Sequence, residues 1–306
     1  MVPAAGCILP ESRAPLIVQR EAWSFGPFPG WILRTPNYEI RTTTKDSIVL
    51  DVVPRLLEGA LEAYQELLPS QNPPAELLQT YLFADRGQWE AYTKWLTGPR
   101  AQTYLRIRTG GYEENGVTVS HYSRRGPTLS VMAHEGLHQY LTMTGRRRIP
   151  AWLNEGLATQ FEAFTFDRAG WPIFSTRRNY RRRKSLRQAL REDRLIPLQE
   201  LLNTDAGSAI RGGGKQASAF YAQVWSLVLY LREASSQQPE AEGFRRLLAD
   251  LGSPRMVALS QRYRSAASAV DGTVMTLEEA VFRQYITHDL NALESRYLEF
   301  ARKLAE

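Results

Sequence analysis

Apolar and polar positions change period several times along this chain, and each change predicts an element. Residues 1–37 are rich in proline, glycine and tryptophan without a period, and read as an irregular leading segment. Tyr38 to Thr43 alternates and predicts a strand. From Ser47 to Leu68 the apolar set Leu56, Leu57, Leu61 and Tyr64 follows helical spacing, with Pro54 limiting the first turns. Leu78 to Ala84 predicts a second strand, Gln88 to Leu96 a short helix, and Thr103 to Ile107 a third strand. Gly110 to Gly116 breaks the pattern, and Asn115-Gly116 is a hairpin turn signal before a strand at Val117 to Tyr122.

A helix then follows. Thr128 is the candidate N-cap, Leu129, Met132, Leu137 and Leu141 recur at helical spacing, and Gly145 is a natural stop. Pro150 suits the start of another helix, whose buried stripe is Trp152, Leu157 and Phe161. Beyond it helical periods dominate. Ser218 is a candidate cap for Tyr221, Trp225, Val228 and Leu231. Shorter helices are predicted at Phe244 to Leu251 and Met256 to Arg264. Thr276-Leu277-Glu278-Glu279 is a capping box opening a helical tract toward Leu304. The expected class is α+β: a small mixed sheet with an edge strand packed on the helix after Val117–Tyr122, then a mainly helical C-terminal part. The expected division is 1–37, 38–145 and 146–306, without an internal repeat.

Candidate chemistry enters with His134-Glu135-Gly136-Leu137-His138, which contains two of the four histidines. Positions four apart on a helix share a face, so both imidazoles can address one cation, and Glu135 can contact a water beside it. Glu155 follows seventeen positions after His138 on the next predicted helix. Two histidines and one carboxylate leave a fourth tetrahedral position open, as catalytic zinc requires.

This HExxH string, followed by the tryptophan-bearing Asn154-Glu155-Gly156-Leu157-Ala158 stretch, resembles the gluzincin metallopeptidases. The likeness is sharp over Val131 to Phe161 and weaker from about Tyr38 to Lys303. The chain as a whole is similar to the peptidase MA-like group. The resemblance implies a gluzincin-like core, one Zn2+ held by His134, His138 and Glu155, and Glu135 as catalytic base. It implies that a zinc-activated water attacks a peptide carbonyl, and that the strand over Gly116–Tyr122 is the sheet edge along which an extended peptide pairs. It also implies an oxyanion donor after the third ligand, for which Tyr221 in Tyr221-Ala222-Gln223-Val224-Trp225 is the candidate. His121 and His288 are weaker competitors, and an ordinary core tyrosine is the alternative reading.

Two further positions bear on specificity and ligand orientation. Gly111-Tyr112-Glu113-Glu114-Asn115 partly matches the loop by which aminopeptidase N relatives hold a free amine, and Glu114 is either that group or part of a plain turn. Related proteins place an acid four residues after the ligand glutamate. Here that position is Thr159, so a histidine-orienting partner is expected from elsewhere. The loop Phe166–Tyr180 is long enough to overhang a cleft.

Composition narrows the alternatives. Hydrophobic residues at 43% and charged ones at 23% fit a globular chain, and no apolar run reaches membrane-spanning length. One cysteine excludes an internal disulfide and a multi-cysteine metal site. That cysteine, Cys7 after Pro3-Ala4-Ala5-Gly6, looks like the tail of a lipoprotein signal without its apolar segment. Alternatively, it lies in a frayed tail. Basicity is local: Arg177 to Arg194 holds nine cations and two anions, more than the whole net charge of +6. That segment is either a solvated face or a surface for acidic peptides, anionic lipid or nucleic acid, although no nucleic-acid motif accompanies it. The leading expectation is therefore a zinc metallopeptidase acting on peptide or protein substrates. The alternatives are a catalytically silent scaffold of the same fold, or an anionic-surface-binding protein using Arg177–Arg194.

Overall fold

A computed structural model describes residues 16–107, 110–146, 148–234, 238–266 and 275–306. Cys7 lies outside them. The first half contains β1 (Gln19–Phe25), β2 (Phe28–Arg34), β3 (Tyr38–Thr42), α1 (Ser47–Leu67), β4 (Leu78–Phe83), α2 (Arg86–Thr97), α3 (Ala101–Tyr104), β5 (Gly111–Glu114), β6 (Val117–His121) and α4 (Arg125–Met143). The second half contains α5 (Ala151–Ala158), β7 (Phe164–Phe166), β8 (Pro172–Phe174), α6 (Tyr180–Arg191), α7 (Leu198–Asn203), α8 (Ala206–Arg211) and α9 (Gly214–Glu233). It ends with α10 (Pro239–Asp250), α11 (Pro254–Ala266), α12 (Leu277–Tyr285) and α13 (Leu290–Ala305). This is an α+β molecule with a small mixed sheet and a helical C-terminal part.

The six-stranded sheet runs in the order β1-β2-β3-β4-β6-β5, with β3–β4 and β4–β6 parallel and the other pairs antiparallel. Side-chain alternation gives it two faces. Tyr38, Ile40, Leu78 and Leu82 join α1 and α4 in the main core. Phe83, Trp89, Tyr92, Tyr112 and Val119 form a separate aromatic cluster with α2 on the opposite face. On the main-core side, α1 packs against α4, and the Tyr64 hydroxyl donates to the Ala133 carbonyl inside α4. Gly136 permits this approach: a Cβ there would lie 2.8 Å from the Tyr64 oxygen.

Several expectations are corrected. Residues 19–34 of the leading segment form the β1–β2 hairpin. Most of β1 is exposed on both sides, so no alternation marks it. Thr103–Ile107 is not a strand: a 3-10 turn at Gly98–Arg100 leads into α3, and Leu105 N–H closes a helical turn on Ala101. The sheet edge is β5, and the Val117–His121 strand lies inside the sheet between β4 and β5. Thr128 sits within α4, where its hydroxyl accepts from Ser123 N–H, and the helix starts after Arg124. Ser218 lies inside α9, which begins at Gly214 after Gly213 at φ +94°. Thr276 does cap α12 through Glu279 N–H, but the tract toward Leu304 is interrupted, and α13 restarts after Asp289 caps it.

The Asn115-Gly116 turn joins β5 to β6 with φ values of 52° and 84°, which the glycine adopts without strain. Among the described residues, no helix is long and apolar enough to cross a membrane.

Candidate metal centre

His134 and His138 lie one turn apart in the middle of α4, and Glu155 projects from α5. What brings α5 to α4 is the crossing of α5 over α9. Gly156 lies so close to α9 that a Cβ there would meet Val228 Cγ2 at 2.4 Å and the Val224 carbonyl at 2.8 Å. Trp152, fully buried edge-to-face on Phe282 at 5.2 Å, anchors the start of α5. The residue after that glycine-tight crossing is therefore fixed, and so is Glu155 before it.

Three atoms converge. Glu155 Oε2 is 3.2 Å from His134 Nε2 and 3.6 Å from His138 Nε2, and the two Nε2 atoms are 3.2 Å apart. The far ring nitrogens are also occupied: His134 Nδ1 faces Glu162 Oε1 at 3.0 Å, and His138 Nδ1 faces Asn154 Oδ1 at 3.0 Å. A carboxylate and an amide oxygen only accept, so both Nδ1 atoms carry the proton in the neutral rings. Both Nε2 lone pairs then point, with a carboxylate oxygen, at one point with no proton between them. Tetrahedral coordination at the usual zinc–nitrogen distance puts donor atoms ~3.3 Å apart. The donor chemistry and the triangle both fit a cation, and His134, His138 and Glu155 could hold a metal ion.

The electrostatics agree with that reading. Burial lowers the pKa of His134, but hydrogen bonds to Glu155 and Glu162 outweigh it and lift the imidazole to about 10. Burial raises Glu155, and the charge of His138 with the His134 and His138 hydrogen bonds overturns this and holds the carboxyl well below its usual range. A cation in the triangle takes the place of the proton that these carboxylates otherwise hold on the ring.

Behind His134 stands an acid not identified from the sequence. Glu162 accepts from Arg182 Nε at 2.7 Å and Asn179 Nδ2 at 3.0 Å while it faces His134. This is the orienting partner that Thr159 does not provide; the Thr159 hydroxyl instead donates to the Gly156 carbonyl at 2.7 Å. Glu162 follows a 3-10 turn at Thr159–Phe161, beyond the end of α5 and of the Asn154–Ala158 string, so the motif carried no signal for it. Asn154 lay within the motif, but its role on His138 did not follow from the string.

Glu135 is half-buried beside the triangle. Burial raises its pKa, opposed by the two histidines. Tyr221 on α9 stands at the same centre, its ring 6.2 Å from that of His134 and 4.8 Å from the Arg182 guanidinium. Burial and then the Glu155 charge push the phenol far up, so it remains a hydrogen-bond donor. Glu135, Tyr221 and the three candidate ligands line a cavity of about 940 Å³.

Of the remaining candidates, Glu114 lines the same cavity, as Glu113 does, and the others fall elsewhere. His121 lies against Trp89 at 5.6 Å in the aromatic cluster, and His288 is exposed before α13. Glu114 pairs with Arg100 at 2.5 Å and accepts from the Tyr104 hydroxyl on the Tyr112 face of β5. Glu113 takes the α4 face and accepts from Gly116 N–H. The loop expected to overhang the cleft forms the β7–β8 hairpin, which packs on α1; a Cβ at Gly59 would touch the Pro172 ring at 2.6 Å.

Residues 128–245 match the model of a family described as a protein of unknown function, DUF1570. No curated protein and no solved structure matches the chain. The matched span includes His134, His138, both glutamates on them, Arg182 and Tyr221, and leaves out the six-stranded sheet.

Proposed function

We propose that the chain is a zinc-dependent peptidase with a gluzincin-like core. One observation supports this above the others. Two imidazoles and a carboxylate converge at 3.2–3.6 Å with a further, half-buried carboxylate, Glu135, beside them and an open cavity in front. When bound, zinc supplies Lewis acidity toward a carbonyl oxygen and acidifies water. His134, His138 and Glu155 hold it, and Glu162 and Asn154 fix the ring orientations. Glu135 accepts a proton from the attacking water and returns it to the leaving amine. The Tyr221 hydroxyl donates to the carbonyl oxygen as charge builds there. The free edge of β5 offers backbone groups to an extended peptide.

The test is a pair of measurements on Glu135→Gln. Metal content by elemental mass spectrometry stays at the wild-type level, and hydrolysis of a mixed peptide library drops by about 100-fold or more. Undiminished turnover would remove Glu135 from this role. Metal bound by the wild type with no turnover on any peptide class would favour the scaffold alternative. Tyr221→Phe is expected to lower kcat about 10- to 100-fold with little movement in KM; a wild-type kcat returns Tyr221 to the core.

A further inference from the structure

Of the nine cations from Arg177 to Arg194, Arg177, Arg182, Arg187 and Arg194 are held by partners within the chain. Arg182 is buried on Glu162, Arg177 pairs with Glu233 at 2.6 Å, and Arg194 pairs with Glu192 at 2.7 Å. Arg187 donates to the Ala305 and Glu306 carbonyls at 2.6 Å each, closing the end of α13. Arg181 is set apart from the other cations of the run without a partner among the described residues, Arg178, Lys184 and Arg191, by lining a cavity. It makes no ion pair or hydrogen bond among the described residues, and its neighbour in the chain, Arg182, repels it.

Arg181 lines a second cavity of about 770 Å³ that shares His134, Glu135 and Tyr221 with the first. The acids on this wall are Glu135 and Glu162, and Glu162 is already neutralised by Arg182 and faces His134. The cations are Arg86, Arg106, Arg181, Arg182 and Arg211. Arg86 is committed to Glu90 and the Leu105 and Ile107 carbonyls. Arg211 uses one nitrogen on Ser208 Oγ at 2.6 Å, and Arg106 has no partner among the described residues. Arg181, Arg106 and Arg211 therefore reach this cavity from three separate segments with guanidinium donors left over, and the five arginines of the lining outnumber its two acids. Desolvation and the neighbouring Arg182 lower the Arg181 pKa, and the Glu162 carboxylate, itself held by Arg182, only partly offsets them.

We propose that this wall is an anion subsite in which Arg181, with Arg106 and Arg211, receives a carboxylate of the substrate. The proposal rests on the peptidase reading and narrows its substrates to peptides with an acidic side chain or a free C-terminal carboxylate near the scissile bond. Guanidinium forks match carboxylates in shape.

The test uses zinc-loaded Glu135→Gln protein, which binds peptides without turning them over. Four peptides are titrated calorimetrically: blocked at both ends with one central Glu, Gln or Lys, and the Gln peptide with a free C-terminal carboxylate. The Glu peptide or the free-carboxylate peptide, whichever source the site uses, binds about tenfold tighter than the blocked Gln peptide. That ratio collapses to about one when Arg181→Gln is added, with zinc content unchanged as the check on folding. Equal affinity for all four peptides, or a ratio that survives both Arg181→Gln and Arg211→Gln, overturns the proposal. Two controls separate it from the function it rests on. Wild-type cleavage of all four peptides alike removes the subsite and leaves the peptidase. Arg181-dependent binding of N-acetylglutamate with no peptide cleaved removes the peptidase and leaves the subsite.

Discussion

Glu162 connects the two halves of the candidate centre: one oxygen faces His134 Nδ1, and the carboxylate neutralises the buried Arg182. Replacing it with glutamine keeps the shape and removes the charge. Metal affinity is expected to fall about 10- to 100-fold in competition with a chromogenic chelator. The uncompensated Arg182 also costs about 3–5 kcal/mol in denaturant unfolding. Unchanged affinity would mean that Glu162 does not orient His134. His121 belongs to the fold and gives a pH prediction. Burial lowers its pKa below 6.5, and its Nε2 has no hydrogen-bond partner. The unfolded chain therefore takes up a proton first. The contribution of His121 is intact above about pH 6.5 and is lost as pH falls below it. Urea unfolding of His121→Phe is expected to show less loss of stability between about pH 7.5 and 5.5 than wild type; equal losses contradict this. At this scale the sequence was most informative where spacing is local. His134, Glu135, His138 and Glu155 were legible because a helical turn and a short motif specify them. Glu162 meets Asn179 and Arg182, at the start of α6, across 17 and 20 positions, so no local window pairs them, and Arg182 stood out only as part of a basic run.

Gly156 sets the position of α5 on α9. Gly156→Ala forces a methyl into Val228 and the Val224 carbonyl, so about 1–3 kcal/mol of stability is lost. The displaced α5 carries Glu155 with it, so zinc affinity falls together with stability. A variant that loses stability and keeps its affinity would show that Glu155 is not held by this crossing. Elements with one buried face were readable: α1, α4, β3 and β4 each present a clear stripe or alternation to the main core. The β1–β2 hairpin was not, because much of it is exposed and no period develops. The assignment of the edge to Gly116–Tyr122 failed because strand order depends on pairing between distant segments. The Gly111–Glu114 segment looked like a turn and proved to be the outer strand.

Across the whole molecule, the candidate centre lies where the sheet half meets the helical half. His134 and His138 belong to the helix packed on the sheet, and Glu155 belongs to the first helix of the C-terminal part. A cation held by all three links these parts and stabilises the folded state by mass action, about 4 kcal/mol at a thousandfold excess over Kd. Chelation is therefore expected to lower Tm in a calorimetric scan, and this shift is absent in His138→Ala. A chelator effect of equal size in that variant would place the metal elsewhere. The most direct test of the central claim is X-ray absorption at the zinc edge of the loaded protein. The account predicts two imidazole nitrogens at about 2.0–2.1 Å and carboxylate oxygen at about 2.0–2.2 Å, with one further light atom completing four. A shell of water oxygens without imidazole scattering would contradict it.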